Sequence, residues 1–406
     1  MQALLDAIAT MPLPGDACRI FHGRGGLYPG CEQWTLDAYP PVFVLTSFAP
    51  VTDEQLATIG DALLARWSRI APPGQQGSLN WVFQLRGEAL RASADVAGDG
   101  GEGAAPGVRP GPPGSARLMA GAVPDPHIVT EAGARYRVHV LRGQNHGLFL
   151  DMAEGRRWVR EFAATFRARA AGTAGAAPAS LAAMPTLGAA DLQAKLASSA
   201  HPSGASSYSS DSDQEASAEL GADASGARVL NLFAYTCAFS VAALQGGAAQ
   251  VINVDMARGA LATGQQNHQL NGLRHGATFW PHDIFNTWGK ITRAGPYDLV
   301  IVDPPSYQKG SFVATKDYAR LLRRLPDLLT GGGHALLCLN APELPMAFLE
   351  TQVREHAPAL RFVARVPNPA VFADVDEGRG LKVGVYWVGR TLGLDGDCEY
   401  LNGSPS

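Results

Sequence analysis

One acid, placed where an apolar run ends, is the residue of this sequence that points most directly to chemistry. The run at residues 299–302 (Leu-Val-Ile-Val) leads into Asp303, Pro304 and Pro305. Two consecutive prolines restrict the backbone and hold a loop rigid. A carboxylate at the start of such a loop can accept hydrogen bonds from a planar nitrogenous base. Paired prolines also occur in ordinary turns, but the position after a buried strand favours a catalytic role.

Two further acids follow predicted strands earlier in the chain. Asp255 stands 24 residues after Asn231, at the place where an acid can accept the hydroxyls of a ribose. Asp283 follows the strand predicted at 277–280 and could accept the exocyclic amine of an adenine. Each acid could equally cap a helix, as aspartates commonly do. Neither a glycine triplet nor a Walker lysine follows the first strand, so a dinucleotide is poorly supported.

A parallel sheet would bring these acids together. From residue 228 onward, strand-like runs alternate with helical patterns, which is typical of a parallel sheet covered on both faces. The predicted strands are residues 229–233, 250–254, 277–280, 298–302, 334–339, 362–367 and 381–388. The predicted helices are residues 240–246, 258–271, 318–329 and 344–355, with the glycines at 331–333 ending the third. The last two strands lack a helical crossover and should pair antiparallel, so we predict a Rossmann-like α/β sheet of seven strands.

The part of the chain before residue 147 has a different, α+β pattern. Residues 52–70 predict a helix with apolar positions at helical spacing, and Thr52 with Gln55 forms a capping box. Strands are predicted within 34–48, at 79–85 and at 135–141. Residues 147–166 start like a strand and pass into a helix. We therefore predict a smaller N-terminal α+β domain ahead of the sheet.

Two stretches of low complexity interrupt these patterns in a chain of 406 residues, which has room for two ordinary domains. Both contain too few large apolar side chains to offset the entropy of ordering the chain. We predict disordered insertions at about 92–116 and at 168–227. The predicted boundaries are an N-terminal domain at 1–146, a connecting segment at 147–167, a sheet domain at 228–392 and a tail at 393–406.

Composition argues against several classes of protein. A net charge of −4 and a pI near 6.2 argue against a basic protein that coats nucleic acid, so any such binding must come from a local patch. Five cysteines without metal-ligand spacing fit reduced thiols rather than a disulfide scaffold or a metal site. No apolar run is long enough to cross a membrane, and residues 1–13 do not resemble a secretion signal. We expect a cytoplasmic protein that uses neither a metal nor a membrane.

The longest patterned run resembles a known family. The sequence VLNLFAYTCAFSVAALQGGA, followed by VINVDMARGALATGQQNHQLNGL, HDIF and YDLVIVDPPSYQKG, resembles the S-adenosylmethionine-dependent methyltransferases of the RlmI/RlmK type, which modify bases of 23S ribosomal RNA. GLFLDMAEGRRWVREF resembles the segment ahead of their catalytic sheet, and RIFHGRGGLYPG resembles the start of their small α+β domain. The resemblance covers roughly residues 18–85 and 136–388. It implies methylation of an RNA base with S-adenosylmethionine as donor.

The resemblance also implies four groups of site residues. Those that would bind the donor, at its methionine end, ribose and adenine in turn, are Phe233, Tyr235 and Thr236, then Asp255 and Met256, then Asp283 and Ile284. Those that would close the donor pocket from the N-terminal side are Phe149 and Asp151. Those that would act between donor and target base are Asp303, Pro304 and Pro305. Those that would contact the substrate are Ser306, Tyr307, Lys309 and Asn340.

Several residues depart from the family pattern. Glycine is usual where Cys237 stands, and arginine is usual where Ala153 stands. Methylation of cytosine C5 needs a thiolate that adds to the ring, and the branch that does so carries its cysteine at the position of Asn340. Cys338 lies two residues earlier, within a predicted strand, where a buried thiol is expected. A ring nitrogen has its own lone pair and requires only positioning, so we favour transfer to nitrogen.

Two other functions remain open on the sequence alone. A methyltransferase of the same fold could act on a small molecule or a protein, and the acidic balance fits that alternative. A catalytically inactive RNA-binding relative is the second alternative, and the departures at Cys237, Ala153 and Asn340 keep it open. Fold alone does not decide among these functions.

Three further patterns lie outside this site. Arg156, Arg157 and Arg160 fall on one predicted helix and indicate a basic face. The glycine-rich stretch at 22–26 could present backbone amides to a phosphate, although a tight turn is the simpler interpretation. Gln308, Lys309 and Lys316 flank the loop of Asp303 and could meet an RNA backbone, although exposed lysines are usually only solvated.

Overall fold

The computed structural model describes residues 1–86, 116–143, 145–172, 225–305, 307–308 and 312–389. The predicted insertions lie outside these ranges except at their ends, and the predicted tail at 393–406 lies wholly outside them. Among the described helices, none has the length and apolar character needed to cross a membrane.

The N-terminal part is built on a five-stranded sheet. Its strands, in spatial order, are β1 (Cys18–His22), β2 (Trp34–Tyr39), β3 (Val42–Ser47), β4 (Asn80–Leu85) and β5 (Ala116–Ala120). Neighbouring strands are antiparallel except β3 and β4, which are parallel. Helix α1 (Gln2–Thr10), which the sequence analysis did not predict, packs against α2 (Asp53–Ile70), the crossover between β3 and β4. The capping box of Thr52 and Gln55 and the α+β character of this part are confirmed.

A hairpin and a long helix connect the two halves of the molecule. Strands β6 (His127–Glu131) and β7 (Ala134–Val138) form the hairpin. The chain then passes through a 3-10 turn, Leu150–Met152, into α3 (Ala153–Ala170). The described residues 147–152 contain no strand, contrary to the sequence analysis. Gly147 explains the difference, because its φ of +97° interrupts an extended backbone.

The C-terminal part is a seven-stranded sheet. Its strands are β8 (Arg228–Leu232), β9 (Gln250–Val254), β10 (Ala277–Trp280), β11 (Tyr297–Val302), β14 (Leu329–Leu339), β15 (Leu360–Val366) and β16 (Lys382–Val388), with a short separate pair, β12 (Tyr307–Gln308) and β13 (Phe312–Val313), after β11. The order is β10-β9-β8-β11-β14-β16-β15, and β16 lies antiparallel between β14 and β15. The Rossmann-like α/β fold and the antiparallel final pair are confirmed.

Helices cover both faces of this sheet. They are α4 (Ala238–Gln245), α5 (Arg258–Leu270), α6 (Trp288–Ala294), α7 (Ala314–Leu322), α8 (Leu325–Leu328) and α9 (Met346–His356). Alternate residues of β11 enter opposite cores, Val300 on one face and Leu299 on the other, which explains the unbroken apolar run in this strand.

Three local differences from the sequence analysis have physical causes. Helix α6 was not predicted, because seven residues are too few to show helical periodicity. The helix expected at 318–329 is divided, because Pro326 lacks an N–H and lies in the first turn of the new helix α8. The glycines at 331–333 lie inside β14 rather than at a helix end. The register of β14 with β11 shifts there, and Gly332, with φ +93°, permits the bulge.

Helix α5 joins the two halves of the molecule. Its residue Asn267 and its C-cap residue Asn271, four positions apart, face the edge of β7. Arg137 N donates to Asn267 Oδ1 at 2.8 Å, and Arg135 N donates to Asn271 Oδ1 at 2.9 Å. Asn271 Nδ2 donates in return to Arg135 O at 2.7 Å. Side-chain amides thus pair with backbone groups that a strand edge would otherwise leave exposed.

The glycine-rich stretch at 22–26 forms a second joint between the halves. Val375 N, from the loop between β15 and β16, donates to Gly25 O at 2.8 Å. A Cβ on Gly25 would lie 2.1 Å from Ala373 O, so the contact excludes any side chain. A packing turn, the simpler of the two interpretations, accounts for these glycines.

Candidate functional site

A cavity of about 670 Å³ lies beyond the carboxyl ends of β8, β9, β10 and β11. Such a volume is typical of a small-molecule site, and the edge of the sheet is where ligands bind in this class of fold. Loops after the four strands form most of the wall. The segment between Asn145 and Arg156 closes the remaining side, so both halves of the molecule contribute to the cavity.

The cavity brings together nearly all the residues that the sequence predicts for the site. The predicted donor-binding residues that line it are Phe149, Asp151, Phe233, Tyr235, Thr236, Asp255, Met256, Asp283 and Ile284. The predicted catalytic and substrate residues that line it are Asp303, Pro304, Pro305 and Asn340. Tyr307 belongs to β12, whereas Ser306 and Lys309 lie outside the described residues. The structure gives the location of the residues that line the cavity, and the roles of all the predicted site residues remain predictions.

The loop after β8 has an unusual backbone. Phe233, Tyr235 and Cys237 have φ values of 57°, 47° and 60°, in the left-handed region that residues other than glycine seldom adopt. Strained backbone of this kind persists only where surrounding contacts determine it, and it concentrates at binding sites. One such contact is the hydrogen bond from Tyr235 N to Asp255 Oδ2 at 2.8 Å.

Cys237 fits the position where the family pattern has glycine. The left-handed φ is the physical reason for glycine there. The thiol is fully buried against α5, where a Cβ on Gly264 would lie 2.5 Å from Cys237 Sγ. Burial and the Asp255 carboxylate raise the pKa of the thiol well above its ordinary value. Because Gly264 has no side chain, it leaves room for the Cys237 side chain in place of the usual glycine. Cys237 is therefore a packing residue.

Asp255 and Asp283 each hold a loop and still face the cavity. The Asp255 carboxylate accepts hydrogen bonds from Tyr235 N at 2.8 Å and from Ala257 N at 2.7 Å. The Asp283 carboxylate accepts from Phe285 N at 2.9 Å and caps the short turn that follows. Carboxylate oxygens have two lone pairs each, so both acids can accept further hydrogen bonds from a ligand. The capping alternative therefore holds for Asp283 without excluding a binding role.

Asp303 is half-buried in the cavity wall and lies near a second acid. Burial, together with the charge of Asp151, raises the pKa of Asp303 to about 7, against the opposing effects of Arg156 and of a hydrogen bond from the Cys338 thiol. Burial also raises the pKa of Asp151, which the charges of Arg19 and Arg156 oppose. Asp303 can therefore bind or release a proton near neutral pH.

Arg156 is the buried cation of the site, and the sequence analysis placed it wrongly. Its side chain is 4% exposed and donates to both carboxylate oxygens of Glu131 at 2.6 Å and to Phe149 O at 2.8 Å. Arg156 is buried and is therefore not part of the expected basic face of α3, whereas Arg157 and Arg160 are exposed and bond to Glu154 and Ala132 O. Nothing in the sequence near Arg156 indicates its partner, which lies in the hairpin.

The loop after β14 places Asn340, rather than a thiol, in the cavity. Cys338 is fully buried within β14, as expected, and its burial and the nearby Asp303 raise the pKa of its thiol. Beside this loop, the buried Lys382 Nζ donates to Ala341 O at 2.7 Å and to a second carbonyl at 3.0 Å. These bonds fix the segment that carries Asn340.

Comparisons with known proteins agree with this architecture. A family model described as S-adenosylmethionine-dependent methyltransferase matches residues 18–199 and 217–387. A solved structure of a protein from Streptococcus mutans, assigned as a SAM-dependent methyltransferase, has a TM-score of 0.61 and 20% identity, covering 95% of this chain and 81% of that chain. At that identity the likeness shows the fold alone.

Curated relatives match a shorter part of the chain. The ribosomal RNA large subunit methyltransferase K/L of Psychrobacter sp. (strain PRwf-1) is 40% identical over 116 residues, which are 27% of this chain and 14% of that protein. The ribosomal RNA large subunit methyltransferase I of Aeromonas hydrophila is 38% identical over 113 residues, which are 27% of this chain and 28% of that protein. The chain thus spans less than a third of the length of either relative.

Proposed function

Because this chain belongs to the family of S-adenosylmethionine-dependent methyltransferases, we propose that it methylates a base of RNA, and that the RNA is large-subunit ribosomal RNA. The substrate is inferred from the names of the two curated relatives, each of which matches 27% of this chain. We also propose the cytoplasmic location that the sequence analysis expects.

The cavity suits S-adenosylmethionine in its size and in its chemistry. Asp255 and Asp283 retain acceptor capacity, which suits ribose hydroxyls and the exocyclic amine of adenine. Phe149 is 41% exposed beside the cavity, with its ring centroid 5.4 Å from that of Tyr235. Aromatic faces attract a positively charged ligand group such as a sulfonium. When bound, the donor supplies a methyl group on that positively charged sulfur.

The observation that carries the proposal is the position of Asp303 in the wall of the donor cavity, with Pro304 and Pro305 beside it. A ring nitrogen of the base uses its lone pair to form the new N–C bond, while the C–S bond breaks and its electrons stay on sulfur. The base gains positive charge as this bond forms. An ionised Asp303 that accepts a hydrogen bond from the base stabilises that charge.

Transfer to nitrogen, rather than to cytosine C5, is supported by the location of the thiols. None of the described residues that line the cavity is a cysteine. Cys338 is fully buried, and its raised pKa disfavours the thiolate that addition to a base requires. Asn340 stands where the C5-methylating branch has its cysteine. Cys338→Ser, which keeps a hydrogen-bond donor, should therefore leave kcat nearly unchanged.

Labelled S-adenosylmethionine tests the proposal when the full chain is incubated with ribosomal RNA from a strain lacking the protein. We expect label in a ring nitrogen of one RNA base with the wild-type protein, and labelling slower by about 10²–10³ with Asp303→Asn. Label recovered only in a protein or metabolite fraction contradicts the RNA substrate. A covalent RNA adduct that disappears in Cys338→Ser contradicts transfer to nitrogen.

A further inference from the structure

Helices α6 and α7 carry a group of cations on neighbouring surfaces. In and just after α7, exposed cations recur at the i, i+4, i+7 and i+8 positions of one helix face, namely Lys316, Arg320, Arg323 and Arg324. Helix α6 adds Lys290 and Arg293, also exposed and three residues apart. Within the described part of the chain, Asp317, 3.0 Å from Arg320, is the acid that pairs with this group. The chain as a whole has a net charge of −4, so positive charge is concentrated here.

Aromatic rings lie between these cations. Lys290 Nζ lies 4.1 Å from the ring centroid of Trp280, and the guanidinium carbon of Arg320 lies 4.0 Å from that of Phe285. Arg324 lies 5.9 Å from the ring of Trp288, and the rings of Phe285 and Trp288 are 6.4 Å apart. We call these three half-buried rings and the six cations the arginine–aromatic surface. Stacking holds its cations in place and leaves their N–H groups exposed for further bonds.

The arginine–aromatic surface begins at the rim of the cavity. Phe285 lines the cavity, next to Asp283 and Ile284, and carries Arg320 on its ring. On the other side, the chain leaves Pro305, passes through β12 and β13 and enters α7. A polymer whose target base reaches Asp303 would therefore meet this surface as it leaves the cavity.

We propose that the arginine–aromatic surface binds the sugar–phosphate backbone and flanking bases of single-stranded RNA next to the target base, an inference that rests on the proposed function. Arginine forks match phosphate oxygens, and guanidinium planes held flat on rings can stack with unpaired bases of any sequence. An acidic protein would neutralise the cations but offers no unpaired bases to stack on the guanidinium planes. Alternation of the two residue types therefore favours RNA.

Salt dependence of RNA binding by the full chain tests this inference. The double variant Arg323→Gln/Arg324→Gln loses two cations of the surface, while Arg323→Lys/Arg324→Lys keeps their charge. The matched control is Arg69→Gln/Arg361→Gln, in α2 and in β15 at the opposite edge of the sheet. The probe is a fluorescent single-stranded fragment of ribosomal RNA that contains the methylated base, and S-adenosylhomocysteine affinity and thermal unfolding verify the fold.

In the glutamine surface variant, we expect the plot of log K, where K is the association constant, against log salt to become less steep, its slope decreasing in magnitude by about 1.4. Kd should rise on the order of ten-fold. The lysine variant and the control should keep most of the wild-type slope. If the glutamine variant retains the slope of the control while wild-type protein methylates RNA, the inference is overturned and the proposed function stands. If wild-type protein neither binds nor methylates RNA, or binds an acidic polypeptide in its place, both are overturned.

Discussion

At the scale of single residues, Asp303 shows how surroundings set the chemistry of a carboxyl group. Burial and Asp151 raise its pKa to about 7, well above that of an unfolded aspartate. The folded protein therefore holds this proton more tightly than the unfolded chain does. The contribution of Asp303 to stability is greatest below about pH 4 and declines as pH rises to about 7. The carboxylate form that the proposed mechanism uses is thus the form that folding favours less.

We predict that kcat/KM for RNA rises with pH through a midpoint near 7, where Asp303 ionises in the free enzyme. Asp151→Asn should move the midpoint to lower pH, because it removes a negative charge that raises the pKa of Asp303. Asp303→Asn should lower kcat by about 10²–10³ and abolish this pH dependence while donor affinity is retained. Rates measured from about pH 5 to about pH 9 provide the check. An unchanged midpoint in Asp151→Asn would contradict the coupling of the two acids.

At the scale of elements, α5 and the loop after β8 pack as one unit around Cys237 and Gly264. Gly264→Ala should destabilise the protein by about 1–3 kcal/mol, because its Cβ would lie 2.5 Å from Cys237 Sγ. In a Cys237→Gly background the same change should be nearly neutral. Urea unfolding of the four proteins measures the coupling free energy. If Gly264→Ala lowers the free energy of unfolding equally in the wild-type and Cys237→Gly proteins, then Cys237 is not the residue that excludes a side chain at position 264.

The control for that cycle lies in the same helix. Gly259, near the start of α5, has open space on its side-chain face, where an added Cβ would meet no atom within 4 Å. Gly259→Ala should therefore be neutral or stabilise the protein by up to about 1 kcal/mol, as alanine favours a helix over glycine. A large loss of stability in Gly259→Ala would mean that alanine is not tolerated in α5 even where its Cβ meets no neighbour.

Elements and site residues differed in how far the sequence predicted them. Strands β9 and β10 were predicted with their observed bounds, because short apolar runs between turns mark strands of a buried sheet. Spacing relative to those strands located Asp255 and Asp283. The bulge near Gly332 and the burial of Arg156 were missed, because each depends on a partner distant in sequence. Local sequence patterns contain no information about the register between β11 and β14, or about the position of Glu131 relative to Arg156.

At the scale of the whole molecule, the hairpin of β6 and β7 depends on amide side chains of α5. Asn271→Leu should destabilise the docked hairpin by about 1–2 kcal/mol, because Arg135 N and O lose their partner. Hydrogen exchange of the β6 and β7 amides should become faster. Gln269→Leu, an exposed change in the same helix, serves as control. Equal exchange in both variants would show that the hairpin is held by other contacts.

Asn267 couples the N-terminal half of the molecule to the wall of the cavity. Its Oδ1 accepts from Arg137 N in the hairpin at 2.8 Å, and its Nδ2 donates to Thr236 O in the loop after β8 at 3.0 Å. One side chain thus bridges the N-terminal half and the donor pocket. Thermodynamic reciprocity then applies: any factor by which a ligand bound to the N-terminal half changes donor affinity through this bridge is the factor by which the donor changes affinity for that ligand.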